Sequence, residues 1–154
     1  MKPLIVYYSR TQNTIKIAEA MAESLEADLL TTDRIKEEDL KGRKLIGIGS
    51  GIYMMKHDKS VFEVANKIPK SCKAFIFSTS GFKSKLITNI EQLSLKRKLK
   101  KRGIETIGQW NCPGHDKSFP IIYINLSKGR PNQQDIENAK EFAYKMEKKS
   151  NRSN

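Results

Sequence analysis

The stretch PLIVYYSRTQNTIK, Pro3 to Lys16, carries the reading on which the fold turns. It starts as an unbroken apolar run, the pattern of a strand covered on both faces. It ends with Ile15 opening a series, continued by Ala18, Ala22 and Leu25, at helical spacings of three and four. Between the two, Ser9, Thr11, Asn13 and Thr14 crowd a turn that has neither glycine nor proline. A helix beginning in such a turn presents unpaired backbone N–H groups and the positive end of its dipole, which suit an anion. The hydroxyls and the Asn13 amide add donors at the same point, so the turn reads as a phosphate cradle. Hydroxyl residues at a helix start also serve as plain N-caps, and the turn alone does not separate the two roles.

The alternation of strand and helix repeats outward from this unit. KLIGIGSG reads as a buried strand, Val61 to Ile68 as a short helix, AFIFSTS as a strand, and Leu86, Ile90 and Leu93 as the inner face of the next helix. IETIGQW is a final strand, and Ala27 to Thr31 a weaker one. The last helix opens with Asn132 placed to cap and Asp135 three residues on, and it should bury Ile136, Ala139, Ala143 and Met146. Five strands alternating with helices predict an α/β fold with a parallel sheet covered on both faces. Asn111 to Arg130 is long for a connection and contains Pro113, Gly114, Pro120 and Gly129, a loop of the kind that often carries function.

Composition bounds the partners. The 154 residues suit one domain, read here as 1–149 with a frayed polar tail over 150–154. No apolar run reaches the ~18 residues of a membrane helix, and the expected location is cytoplasmic, without membrane insertion. The formal charge of +12 attracts polyanions, acidic proteins or anionic cofactors. Cys72 and Cys112 form no CxxC pair, and Cys112, His115 and Asp116 lack a fourth ligand, so no metal is expected. His57, between Lys56 and Asp58, reads as a solvated loop histidine.

Three phosphate-binding designs fail on the residues. The turn lacks the glycines and lysine of GxxxxGK[ST]; Gly47, Gly49 and Gly51 have the wrong spacing for GxGxxG; and the strand ends YYSR and GSG lack the carboxylates of a phospho-acceptor domain. What remains is a site for a terminal phosphate monoester. SRTQNT resembles the phosphate loop of the flavodoxin family, [ST]-x-[ST]-x-N-T, and the resemblance continues through GSGIYMMKHDKSV, FSTSGF and GRPNQQDIENAKEFA, covering essentially the whole chain.

That resemblance implies a three-layer sandwich with five parallel strands in the order 2-1-3-4-5. It also implies a flavin mononucleotide (FMN) whose phosphate is held by Ser9, Arg10, Thr11, Gln12, Asn13 and Thr14. The ring would lie between Gly51, Ile52, Tyr53 and Met54 on one side and Thr79, Ser80, Gly81 and Phe82 on the other. Gly51 and Gly81 could also let a peptide turn its carbonyl toward the flavin, or be simple turn glycines. The family is typically acidic, whereas this chain is basic. GIYMMKHDKSVFE shares features with flavodoxin-like protoporphyrinogen oxidases, but TSGFKSKLIT runs directly into a helix without their basic insertion. The implied function is a one-electron carrier between redox proteins, with an acidic partner surface meeting Lys56, Lys59, Lys83 and Lys85 rather than the distant KRKLKKR at Lys96 to Arg102. The alternatives are an FMN-dependent NAD(P)H or quinone oxidoreductase, and a basic nucleic-acid binder without flavin, which rests on charge alone.

Overall fold

Strand β1 (Leu4–Tyr8) lies between β2 (Asp28–Thr31) and β3 (Leu45–Tyr53) and pairs parallel with both. The computed structural model describes residues 1–81, 85–114 and 128–152. Its sheet continues through β5 (Lys73–Ser80) to β6 (Glu105–Pro113), giving the order β2-β1-β3-β5-β6. These five strands are parallel, in the predicted order. A sixth, β4 (Lys56–His57), is a two-residue antiparallel strand folded back on the end of β3, which the sequence reading missed.

Alternate residues of β1 feed two cores. Leu4 and Val6 pack with Val61, Val64 and Ala65 of α3 (Lys59–Ala65), Leu95 and Leu99 of α4 (Lys85–Lys101), and Leu40 of the short α2 (Glu37–Leu40). Ile5 and Tyr7 pack with Ile17, Met21 and Leu25 of α1 (Gln12–Leu25) and Ala139 and Ala143 of α5 (Gln133–Asn151). A strand that is hydrophobic at every position is stable only when both faces are covered in this way. The α5 start is built as read: the Asn132 side chain accepts from the Asp135 N–H, and the Asp135 carboxylate accepts from the Asn132 N–H. The helix runs to Asn151 and Ser150 is buried, so order extends two residues into the segment read as a tail.

Helix α4 departs from its predicted orientation. Leu86, Ile90 and Leu93 are 71%, 53% and 37% exposed, while Glu91, Gln92, Leu95 and Leu99 face the sheet. Both sets recur at helical spacing, and polar groups decide between them. Gln92 Nε2 donates to Ser78 Oγ and to the Trp110 carbonyl, each at 2.7 Å, hydrogen bonds that a leucine could not make.

The centre of the sheet is packed through missing side chains. Gly47 and Gly49 of β3 lie in register with Phe75 and Phe77 of β5. A Cβ on Gly47 would come within 2.4 Å of the Phe75 ring, and one on Gly49 within 2.2 Å of the Phe77 carbonyl oxygen. The rings occupy the space that the glycines leave. Gly49→Ala should therefore destabilise by about 1–3 kcal/mol in urea denaturation, whereas Gly81→Ala, with nothing within 4 Å of its Cβ, should stay within about 0.5 kcal/mol.

His57 is also corrected. It is buried rather than solvated, with Nδ1 3.0 Å from Ser50 Oγ, because the β3–β4 hairpin turns it under the sheet edge. Burial lowers its pKa from 6.5 to about 3. Between those values the unfolded chain binds more protons than the folded one, so the stability contributed by neutral His57 is complete above 6.5 and lost as pH falls through that window. His57→Asn should flatten the fall in the urea midpoint across this range; an unchanged slope would show that the folded protein tolerates a charged His57.

Candidate functional site

Parallel pairing brings the carboxyl ends of β1, β3, β5 and β6 to one edge, and a pocket opens there. Its walls are Thr11 and Asn13 from the turn after β1, Gly51, Ile52 and Tyr53 from the end of β3, Thr79, Ser80 and Gly81 from the end of β5, and Gly114 after β6. The ladder registers Tyr8 with Ser50, Gly51 with Thr79 and Thr79 with Cys112, so these strand ends are held at one level. Open α/β sheets hold ligands at this edge.

The first turn is built to present donors. Thr11 is the N-cap of α1, its hydroxyl accepting from the Asn13 N–H, and the Ser9 hydroxyl donates to the Thr11 carbonyl. Thr14 is buried, and its Oγ1 lies 2.8 Å from Thr79 Oγ1, fastening the first turn of the helix to the end of β5. Gln12 opens the helix and is exposed. The Asn13 side chain lies against Gly114, where a Cβ would come within 3.0 Å of its amide, so a side chain at 114 would make Asn13 shift.

The opposite wall comes from the hairpin. β3 runs two residues past the strand KLIGIGSG, through Ile52 and Tyr53, and the chain reverses at Met54 and Met55, whose φ values are 48° and 64°. Two positive φ angles define the two-residue turn that matches strand twist, and methionines adopt them with strain that Asn-Gly would avoid. Met54 is 93% exposed at the hairpin tip and does not wall the pocket. Tyr53 folds back across the edge. Its hydroxyl accepts from the Arg10 N–H at 3.1 Å, the Arg10 guanidinium lies 4.1 Å from its ring centroid, and Asp58 is 3.8 Å from that guanidinium. Burial raises the Tyr53 pKa, against the Arg10 hydrogen bond. One face of the phenol ring is thus occupied by a cation.

Behind the pocket lies a polar floor that sequence reading did not find. Asn111 Nδ2 donates to Ser78 Oγ at 2.9 Å and to Ser80 Oγ at 3.2 Å, and Gln92 joins the same Ser78 hydroxyl. Glu91 is 1% exposed and lies beside Ser80, which holds its pKa down against burial. Its members come from three separate elements, so no linear motif announces them.

Of the residues expected at the site, Thr11, Asn13, Gly51, Ile52, Tyr53, Thr79, Ser80 and Gly81 converge on the pocket, Thr14 and Ser9 brace its cradle, and Arg10 and Gln12 stand exposed at its rim. Phe82, Lys83, His115 and Asp116 lie outside the described residues, as does the loop from 115 to 127. Cys112 is buried, and burial raises its pKa. Gly114, which the sequence marked only as part of the loop from Asn111 to Arg130, joins the pocket wall. Among the described residues no cluster of potential metal ligands occurs, and no helix is long and apolar enough to cross a membrane.

The fit of this edge to a flavin nucleotide can be judged on the donor set. A hydroxyl- and amide-rich helix start without a carboxylate suits a phosphate, and a slot between two strand ends carrying Gly51 and Gly81 suits a flat ring. An uncharacterized protein of Methanocaldococcus jannaschii is 42% identical over 146 residues, spanning 93% of this chain and 96% of that protein. Among solved structures, a flavodoxin from the domain Archaea superposes with a TM-score of 0.68 at 17% identity, covering 98% of this chain and 99% of its own. Flavodoxin 2 from Bacillus cereus gives 0.69 at 18% identity, covering 97% and 99%. The flavodoxin domain model matches residues 4–109, and by that match this chain belongs to the flavodoxin family.

Proposed function

We propose that the protein binds FMN at the carboxyl edge of the sheet and carries single electrons between redox proteins. The observation that supports this reading is the convergence of the donor-rich turn after β1 with the ends of β3 and β5 on one pocket. When bound, FMN supplies the one-electron chemistry; the chain binds, orients and shields it. Ser9, Thr11, Asn13 and Thr14, with the first-turn N–H groups of α1, hold the phosphate, and the rim residues Arg10 and Gln12 border it. Gly51, Ile52 and Tyr53 and Thr79, Ser80 and Gly81 border the ring, with Met54 at the hairpin tip and Phe82 beyond the described residues. The family match and the relatives' fold agree with such a carrier.

The phosphate assignment is tested by comparing FMN with riboflavin. Thr14 is a poor position for the test because its hydroxyl also bonds Thr79. Thr11→Ala should weaken FMN about tenfold or more, from a charge-assisted hydrogen bond worth about 1.5–3 kcal/mol, and leave riboflavin unchanged in fluorescence-quenching titrations. Equal weakening of both would remove the assignment. In a reductive titration the holoprotein should pass through two separate one-electron steps, and steady NAD(P)H consumption by the pure protein would instead favour an oxidoreductase.

The docking face is tested by charge. Lys56 is exposed on the hairpin beside the pocket, and Lys59 follows at the start of α3, paired with Glu63 at 3.7 Å. Lys98 and Lys101 lie in the last turn of α4, where they complement the negative dipole end. Lys56→Glu should slow electron transfer from an acidic one-electron donor protein several-fold at low salt, with the difference fading as salt rises, and Lys101→Glu should change it little. A larger effect of the distal substitution in stopped-flow kinetics would relocate the face.

A further inference from the structure

A glutamate buried against a binding pocket with no cation beside it among the described residues needs a reason. Glu91 is on the sheet-facing side of α4, 1% exposed, and its Oε2 has no hydrogen-bond partner among the described residues. It lies beside Ser80, a wall residue of the pocket whose hydroxyl accepts from Asn111 and acts on the Glu91 carboxyl against the effect of burial. The carboxyl therefore sits one hydroxyl away from the pocket. Among the described residues, the elements packed against α4 supply no compensating charge. On β4, His57 is buried and neutral and Lys56 is exposed; on α3, Lys59 and Glu63 pair with each other. Lys73 and Glu105 stand at the opposite ends of β5 and β6, Lys73 bonded to the Ser150 carbonyl, while Cys112 faces the other core. The cations of α4 itself begin at Lys96, beyond its middle, apart from Lys85 at its first residue.

We propose that Glu91 is a proton-holding positioning residue of the pocket: as one electron from a donor protein enters a flavin bound there, the Glu91 carboxylate takes one proton from solvent and becomes the neutral acid. The inference rests on the flavin reading of the pocket. The electron adds one negative charge to the site and the proton removes one from the carboxylate, so charge balances locally with no further reactant. The Ser80 hydroxyl donates to the carboxylate in the ionised state and can turn toward the pocket once Glu91 is neutral, which ties the pocket wall to the charge of its contents. Burial raises the Glu91 pKa to about 7, with the Ser80 hydrogen bond opposing it, which places the change near neutrality. Glu91 is no proton donor to a substrate; it acts through Ser80 and through the field it sets in a poorly solvated region.

Two measurements test this and separate it from the flavin assignment. In the FMN-free protein, the Glu91 side-chain carboxyl, followed by carbon NMR, should titrate near pH 7; titration near the ordinary value of about 4.3 would overturn the proposal whether or not FMN binds. In the FMN-loaded protein, one-electron reduction by dithionite in weakly buffered dye solution at about pH 7 should take up more protons from the wild type than from Glu91→Gln, and Glu63→Gln should match the wild type. Equal uptake by wild type and Glu91→Gln would overturn it. Should Glu91→Gln fail to fold, the reduced-minus-oxidised infrared spectrum of the wild type must still gain the carbonyl stretch of a protonated carboxyl, and its absence counts against the proposal. Failure to bind FMN would refute the flavin reading, while the titration in the FMN-free protein would still report on Glu91.

Discussion

The parallel ladder centred on β1 and β3 is the constraint from which the rest follows. Parallel strands leave the sheet at the same end, so each connection returns through a helix, and every turn after a strand opens on one edge. Registers such as Tyr8 with Ser50 and Gly51 with Thr79 bring a turn made of residues 9–14 into one wall with residues some forty and seventy positions away. The ladder depends in turn on a local device. Glycines at 47 and 49 admit the rings of Phe75 and Phe77, so the middle of the sheet is filled by the neighbouring strand's aromatics rather than by β3 itself.

That packing leaves the sheet asymmetric in chemistry. Toward its amino end both cores are apolar; toward the carboxyl edge the buried positions turn to Ser50, Ser78, Thr79, Ser80, Gln92 and Glu91. Burying so many polar groups costs stability unless each is bonded, and most are bonded to one another across strands. Among the described residues five buried polar atoms have no partner: Thr31 Oγ1 at the end of β2 and Arg102 Nε just after α4, and His57 Nε2, Glu91 Oε2 and Gln92 Oε1 on β4 and α4, which pack against each other. Incomplete satisfaction there is the sort of local cost that functional regions carry and plain cores avoid.

The net charge has a similar division. The surplus of basic residues is spread over exposed positions, with α4 carrying a dense share in its second half. At ordinary salt, screening limits the effect of an exposed charge to about 10 Å, so only those charges close to the pocket act on it. Overall charge describes what the chain meets at long range, and Arg10 and Lys56 describe what the pocket edge presents.

Sequence alone determined the α/β class, the cap of α5 and the donor-rich turn, because each rests on local periodicity or on residues adjacent in the chain, whereas the strand order was implied only by the resemblance to a known family. PLIVYY can be only a strand buried on both faces, and Asn132 with Asp135 forms its box within one turn. The choice of face on α4 was not legible: Leu86, Ile90 and Leu93 make the more apolar stripe, yet the sheet took the side bearing Glu91 and Gln92. The competing acceptors, Ser78 and the Trp110 carbonyl, are supplied by other strands. His57 went unread for the same reason, since a two-residue strand buries it only after Met54 and Met55 reverse the chain. Periodicity reports which faces a segment could bury; only the assembled sheet, by presenting particular hydrogen-bonding groups at particular places, decides which one it does.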